Sequence, residues 1–172
     1  MNIDNIKYYI SHFLLQKKLK DYSREKKTSS IQLSKNIGII YYFEDEKEYK
    51  IISDFVRYLQ EEHKIVKALG YAPDKIIPHY FYPKIFFDIF LQTDVNKWTG
   101  IPNKQCVKDF IDTEYDLLID LSLNNIFPLD YIGILSKAKF KVGKYDNTRK
   151  KYYDMMIDIK NNKDLRYLIE QI

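Results

Sequence analysis

The sequence predicts an α/β fold: a Rossmann-like, mostly parallel sheet of five to six strands with flanking helices, preceded by an N-terminal amphipathic basic helix. Three observations predict it. Runs such as Ile37–Phe43 are apolar, β-branched and aromatic almost throughout, as strands covered on both faces are. Segments with apolar residues every three or four positions alternate with those runs, the order that builds βαβ units. Residues 3–14 share the helical spacing, but residues 1–30 hold seven basic side chains against three acidic ones, whereas the rest of the chain holds 21 of each. The net charge of +4 therefore sits on the first segment. A length of 172 residues suits one domain, placed at residues 34–172, with residues 1–33 as a helical extension and linker.

The elements follow in chain order. Ile3, Ile6, Ile10, Phe13 and Leu14 make an apolar stripe at helical spacing. Residues 16–30 are polar and basic and end in Thr28-Ser29-Ser30, the composition of a linker. After the strand Ile37–Phe43, Asp45 and Glu48 form an acidic capping pattern ahead of a helix whose inner face is Tyr49, Ile52, Val56 and Leu59. Ile65–Leu69 is the second strand, reached by a right-handed crossover. Pro73, Pro78 and Pro83 argue against a regular helix before the third apolar segment, Ile85–Leu91. A polar stretch, Thr93–Gly100, leads to a short helix opened by Pro102-Asn103, with Val107, Phe110 and Ile111 inward. Asp116–Leu121 is the fourth strand; Asn124, Asn125 and Pro128 start a helix that buries Leu129, Ile132, Leu135 and Ala138. Phe140–Val142 is a fifth strand. Ten residues separate it from a sixth, Tyr153–Ile159. That is short for a parallel crossover, so the sixth strand is expected to be antiparallel. Asn161 or Asn162 is expected to cap a last helix through Leu165, Leu168, Ile169 and Ile172.

Ligands of open α/β sheets sit outside the carboxyl ends of the strands. After the first strand, dinucleotide folds carry glycines that let the backbone approach phosphate. This chain has Glu44-Asp45-Glu46 there, which suits the helix dipole and repels phosphate, so no nicotinamide or flavin cofactor is expected. Asp120, Ser122, Asn124 and Asn125 follow the fourth strand, either as ligand-binding groups or as strand-end and capping groups. Asp94 and Trp98 are the ligand candidates of the polar stretch; Trp98 reads as a platform or as core folded over the sheet end. Lys139 and Lys141 share one strand face, and Lys144, Arg149, Lys150 and Lys151 continue into the next loop. This cluster reads as a phosphate contact or as a charged edge strand that resists aggregation. Lys17, Lys18, Lys20, Arg24, Lys26 and Lys27 are the partner-binding candidates of the N-terminal segment.

Several classes find no support. There is no G-x-S-x-G, no P-loop and no H-E-x-x-H, so no residue is assigned a catalytic role. His12, His63 and His79 lack paired spacing, and no metal site is expected. Cys106, the one cysteine, reads as a buried small hydrophobe near Phe110 and suits a reducing compartment. Met1–Lys7 has no apolar leader core, and no run approaches the roughly 18 apolar residues of a membrane span, so a cytoplasmic location is expected. Lysines outnumber arginines 24 to 4, and Ile, Asn, Tyr and Phe abound, as AT-rich coding dictates; the 16 tyrosines therefore do not count towards base stacking.

Glu114–Ser122 and Leu135–Gly143, together with Leu69-Gly70-Tyr71, resemble an uncharacterised family of short bacterial proteins across most of residues 35–172. That resemblance implies a fold and no activity. The same two motifs are similar to a stretch in the N-terminal half of heptosyltransferases, where a YDLVIDL-like strand is followed by a helix and an AKxRIG-like strand. Those enzymes place a glycine-aspartate turn after their first strand, where this chain has Glu44-Asp45-Glu46, and they carry a second Rossmann-like domain. The similarity implies the architecture and no catalytic residue.

The function expected from the sequence is a non-catalytic binding or adaptor role. The basic N-terminal helix would dock on an acidic macromolecule, with RNA or a ribonucleoprotein first and an acidic protein surface next. A sensor or enzyme for a phosphorylated or sugar ligand, and a protein–protein module using the Ile3–Leu14 stripe, are the alternatives.

Overall fold

One sheet of six parallel strands runs in the order β3-β2-β1-β4-β5-β6. The computed structural model describes residues 3–172 except Glu44, Pro83, Asn161 and Lys163, with the backbone alone for Ile3 and Asp4. The strands are β1 (Asn36–Tyr42), β2 (Ile65–Ala72), β3 (Phe87–Leu91), β4 (Leu117–Asp120), β5 (Phe140–Lys144) and β6 (Met155–Ile157). The helices are α1 (Ile3–Lys20), α2 (Glu46–Glu61), α3 (Gln105–Asp112), α4 (Phe127–Leu135) and α5 (Leu165–Gln171). The strand order reverses between β1 and β4, where Ile37 pairs with both Val66 and Leu117.

Period-two alternation divides the core. Ile37, Ile39 and Tyr41 of β1, with Leu117 and Ile119 of β4, pack beneath α2 and α5. Ile40 and Leu118 point the other way, to Val107 and Phe110 of α3 and Leu129 and Ile132 of α4. Asp120 and Lys141 fall on this second face, yet both are buried. Above it lies a further layer in which Leu15 of α1 packs with Tyr131, Ile134 and Leu135 on the outer side of α4. Covered by the sheet on one side and α1 on the other, α4 is apolar nearly all round, as a helix without a solvent face must be.

Four expectations need correction. The sixth strand is parallel: Val142 pairs with Met155 and Lys144 with Ile157. Because β6 is only three residues long, the turn-rich connection 145–154 has little sheet to retrace, and it needs no helix. Consequently β5 is an interior strand, not a charged edge. The helix α1 buries Ser11 and Leu15, the latter 2% exposed, while Phe13 of the expected stripe is 69% exposed and Ile10 also faces solvent; the side chain of Ile3 lies outside the described residues. The last helix is capped by Asp164, which accepts from the Arg166 amide, and not by Asn162, which accepts from the Asp164 amide; Asn161 lies outside the described residues. The cap of α2 is Asp45, accepting from the Glu48 amide as expected. Pro83, read as a break before β3, lies outside the described residues.

Of residues 16–30, which read as a linker, the first five belong to α1, and residues 21–34 form a strap against the body. The Tyr22 hydroxyl donates to the Ser136 carbonyl at 2.6 Å. Arg24 Nη1 donates to the carbonyls of Ala138 and Lys139, and its Nη2 meets both carboxylate oxygens of Asp154 at 2.7 Å. Lys141 completes the clasp from below: its Nζ donates to the carbonyls of Gly133 and Ile134 and to the Tyr22 oxygen, at 2.8–3.0 Å. The last carbonyls of a helix have no partner within it, and the Lys141 amine supplies one. Burial, reinforced by the nearby Arg24 charge, lowers Lys141 to about 6.

The Arg24–Asp154 pair is nearly sealed from solvent, and breaking a buried pair leaves one charge uncompensated. Arg24→Met should therefore cost about 3–5 kcal/mol, read as a lower urea midpoint with an unchanged m-value. A midpoint equal to that of the wild type would show that the strap adds nothing to the fold.

Candidate functional site

A buried cluster and one concavity lie at the carboxyl ends of β4 and β5, and a basic hollow lies nearer the amino end of β5, beside Lys141. The cluster centres on Asp120, the last residue of β4 and fully buried. Its Oδ2 accepts from Arg149 Nη1 at 2.8 Å and from the Tyr153 hydroxyl at 2.5 Å, and its Oδ1 accepts from the Ser122 amide. Arg149 also reaches Asp130 Oδ1 at 3.3 Å. Burial opposes the Arg149 charge, and Asp120 with its neighbours outweighs that effect, holding the guanidinium above its ordinary value. Burial, followed by the Asp120 carboxylate, pushes the Tyr153 hydroxyl well up, so it remains a donor. Room for Tyr153 comes from Gly133 and Gly143: a Cβ on either would meet its ring or hydroxyl. Arg149 Nε and Nη2 and Ser122 Oγ are buried with no hydrogen-bond partner among the described residues.

Sequence reasoning singled out both Asp120 and Arg149 but assigned them to different sites. The structure pairs them with each other, and the pair pins the 145–154 connection across the sheet end. Arg24, Lys141 and Arg149 are thus internal, Lys139 is bound to Asp116 at 3.2 Å, and Lys144 Nζ donates to the Leu123 carbonyl. Each of these five is held by partners of the fold, although Arg24 and Lys141 also border the basic hollow. Tyr22 and Asp154, which complete the clasp, were missed; no charge or periodicity signal marks either one.

The remaining basic candidates are exposed: Lys17, Lys18, Lys20, Lys26, Lys27, Lys150 and Lys151. The strap brings some of them together although they lie far apart in sequence. Gln16 Nε2 donates to the Tyr152 hydroxyl, which fastens α1 to the β5–β6 connection. Between them lies a hollow of about 390 Å³, with Lys26 of the strap and Lys151 of the connection on its lining. Lys20 follows Gln16 by one helical turn and so lies on the same face. On the other side of α1, Lys18 shares a groove of about 660 Å³ with Lys108 and Lys137. Among the described residues, Lys17, Lys18, Lys20, Lys27, Lys150 and Lys151 form no salt bridge, and Lys26 reaches Asp154 only at 3.8 Å.

A second concavity, of about 440 Å³, opens where the loops after β3, β4 and β5 converge on the first turns of α1. Its lining includes Lys7, His12, Trp98, Asn125, Asp130 and Thr148. Trp98 is 63% exposed and so is not core folded over the sheet end. Asn125 Nδ2 donates to Asp146, whereas Asn124 is exposed and borders neither concavity. Asp94 is committed elsewhere: it accepts from the Leu91 amide and pairs with Lys104 at 3.1 Å. Cys106 is half-buried on the α3 side of the core, and burial raises its thiol. Among the described residues no three His, Cys, Asp or Glu side chains converge as a metal site requires.

A profile described as "Family of unknown function (DUF6913)" matches residues 7–172. The chain belongs to this family. The matched region takes in α1 from Lys7 onward and the whole strap, so the family's shared sequence includes the segment that clasps α4. No curated protein and no solved structure matches the chain.

Asp130 offers a pH test of the cluster. Burial pushes its carboxyl up to about 7, against the pull of Arg149. Between its ordinary value of 3.8 and about 7 the native state keeps a proton that the unfolded chain has lost. Stability should therefore fall as pH rises through that window. Asp130→Asn should remove this part of the slope and gain on the wild type at pH 8; superimposable pH–stability curves would contradict the assignment.

Proposed function

We propose that this protein is a non-catalytic binding protein that docks on RNA or a ribonucleoprotein through a composite basic face. The face comprises Lys20 and Lys26 from the N-terminal segment and Lys151 from the β5–β6 connection, with Lys17, Lys27 and Lys150 at its margins. One observation carries the reading: the basic residues of two distant segments meet across one hollow, and none of the six unpaired lysines on either side of α1 has an acidic partner among the described residues. Clustered cations that outnumber the carboxylates beside them repel one another, and an arrangement that tolerates this repulsion suits a polyanion. Because α1 is fastened to the body by Leu15, Tyr22 and Arg24, the charges are held in place and a partner need not order them.

A cytoplasmic location accompanies this proposal. It rests on the single cysteine, which suits a reducing compartment, and on the polyanionic partner. No helix among the described residues is long and apolar enough to cross a membrane.

Phosphate neutralisation releases counterions, so affinity for an RNA strand should fall with salt at a log–log slope of about −0.7 per contact, or −2 to −4 for three to five contacts. Lys20→Gln, Lys26→Gln and Lys151→Gln combined should flatten the slope by about 2 without moving the unfolding midpoint. Ile10→Ser and Phe13→Ser, also exposed on α1, should leave the slope unchanged. Binding that ignores salt, or no binding to RNA at low salt, would contradict the proposal.

A further inference from the structure

The 440 Å³ concavity at the sheet end is a second recognition surface, and it stands apart from the basic face. Its location is the one that open parallel sheets use for small ligands: loops following β3, β4 and β5 all contribute, and the strand order reverses beside them. Its volume falls within the roughly 300–1,000 Å³ of small-molecule sites.

The lining has three chemistries in one place. First, a flat apolar platform: Trp98 keeps most of its surface open although its loop is firmly built. Asn96 Oδ1 accepts from the amides of Trp98 and Thr99, Asn96 O accepts from the Gly100 amide, and Gly100 takes a left-handed φ of 64° against Phe127. A loop braced by these contacts holds an exposed indole in a fixed place. Second, positive charge: Lys7 Nζ stands 5.7 Å from the indole centroid, and Lys97 adjoins it on the same lining. Neither forms a salt bridge among the described residues. Third, polar groups at the inner end: Asn125 directs its amide nitrogen to Asp146, which leaves its Oδ1 open, and Asp130 binds Arg149 through Oδ1 alone. His12 lies between, its ring 3.9 Å from that of Tyr8. His12 Nδ1 faces the Tyr8 carbonyl, which can only accept, so Nδ1 donates and is committed to that bond.

A ligand matching all three has a flat ring, a hydrogen-bonding edge and an anionic group. We propose that this concavity binds a nucleotide: the base stacks on Trp98, its edge is read by Asn125 and Asp130, and its phosphate is held by Lys7 and Lys97. The same chemistry is offered by a free mononucleotide and by one residue of a single RNA strand, where aromatic stacking beside a basic track is the usual mode. Asp45 and Glu46, which follow β1, are not on its lining, so the site calls for a mononucleotide unit and not a dinucleotide laid across the first strand end.

Trp98 is the one tryptophan of the chain, so its fluorescence reports this site and no other. AMP, GMP, CMP and UMP, inorganic phosphate, and a short oligouridylate are titrated separately into the full chain. At least one mononucleotide or the oligonucleotide should quench Trp98 saturably, and inorganic phosphate should not. Lys7→Gln should weaken that binding about tenfold, as loss of one charge-assisted contact does. Trp98→Ala, followed by calorimetry, should weaken it by about tenfold or more. Trp98 and Lys7 lie at the surface, and unchanged unfolding midpoints confirm that both variants fold. Quenching by free mononucleotides identifies a metabolite site; quenching by the oligonucleotide alone identifies a strand subsite; either supports the proposal. No saturable quenching by any nucleotide, equal binding of inorganic phosphate, or binding indifferent to Lys7→Gln and Trp98→Ala would overturn it. The Lys20, Lys26 and Lys151 variants lie outside this lining, so mononucleotide binding should persist in them even where RNA binding is lost.

Discussion

The carboxylate of Asp120 governs how the second half of the sheet is closed. It ends β4 on the face covered by α4, sealed from water, and is neutralised by an arginine 29 residues further on. An isolated carboxylate there would cost several kcal/mol, so Arg149 must be delivered to it, and the Tyr153 hydroxyl with it. Meeting both demands brings the 145–154 connection back across the sheet end. The connection then turns down at Asp154, where the chain enters β6 in the parallel sense. Asp154 in turn receives Arg24 and the Lys141 amide, so the N-terminal strap is seated on a position that the Asp120 cluster determines. Lys151 and Thr148, one on the basic hollow and one on the aromatic concavity, belong to the same connection. Both candidate surfaces therefore depend on one buried ion pair.

The two surfaces differ in what holds them. The basic face is made of long flexible side chains on a rigid backbone, which suits a partner recognised by charge density and not by shape. The concavity has a braced indole, a histidine with one nitrogen committed and a carboxyl that burial keeps near its titration point. Such groups suit a small ligand with fixed geometry. α1 contributes to both, with Lys7 and His12 in its first half and Gln16 and Lys20 in its second. It therefore belongs to the working surface as much as to the fold.

Much of the architecture was legible in the sequence, because strands buried on both faces show as apolar runs and their helices as periodic ones. Ile37–Phe43 and Asp116–Leu121 predicted β1 and β4 to within a residue or two, and Asp45 announced the start of α2. The direction of β6 was not legible, since it follows from Asp120, Arg149 and Tyr153 meeting in space. The buried face of α1 was hidden for a different reason. Ser11 and Leu15 make contact, while the more apolar Ile10 and Phe13 stay in solvent, so hydrophobicity alone picks the wrong side. Charge misled in the same way: Arg24, Lys141 and Arg149 counted as surface cations, but each neutralises or caps a group that the fold buries. Lys141 did leave one trace. It alternates with Phe140 and Val142 in a strand that turned out to be interior, and there the side opposite the apolar pair must still be buried.

The central claim is that Asp120, through Arg149 and Tyr153, holds the β5–β6 connection and thereby the N-terminal strap. Amide hydrogen exchange, resolved by residue in wild type and in Asp120→Asn, tests it most directly. The account predicts that protection falls together at residues 145–157 and at the strap amides around Lys27, which bonds to the Lys139 carbonyl, while β1 and β2 keep theirs. Unchanged protection in the connection, or a strap that stays protected after the connection has loosened, would contradict it.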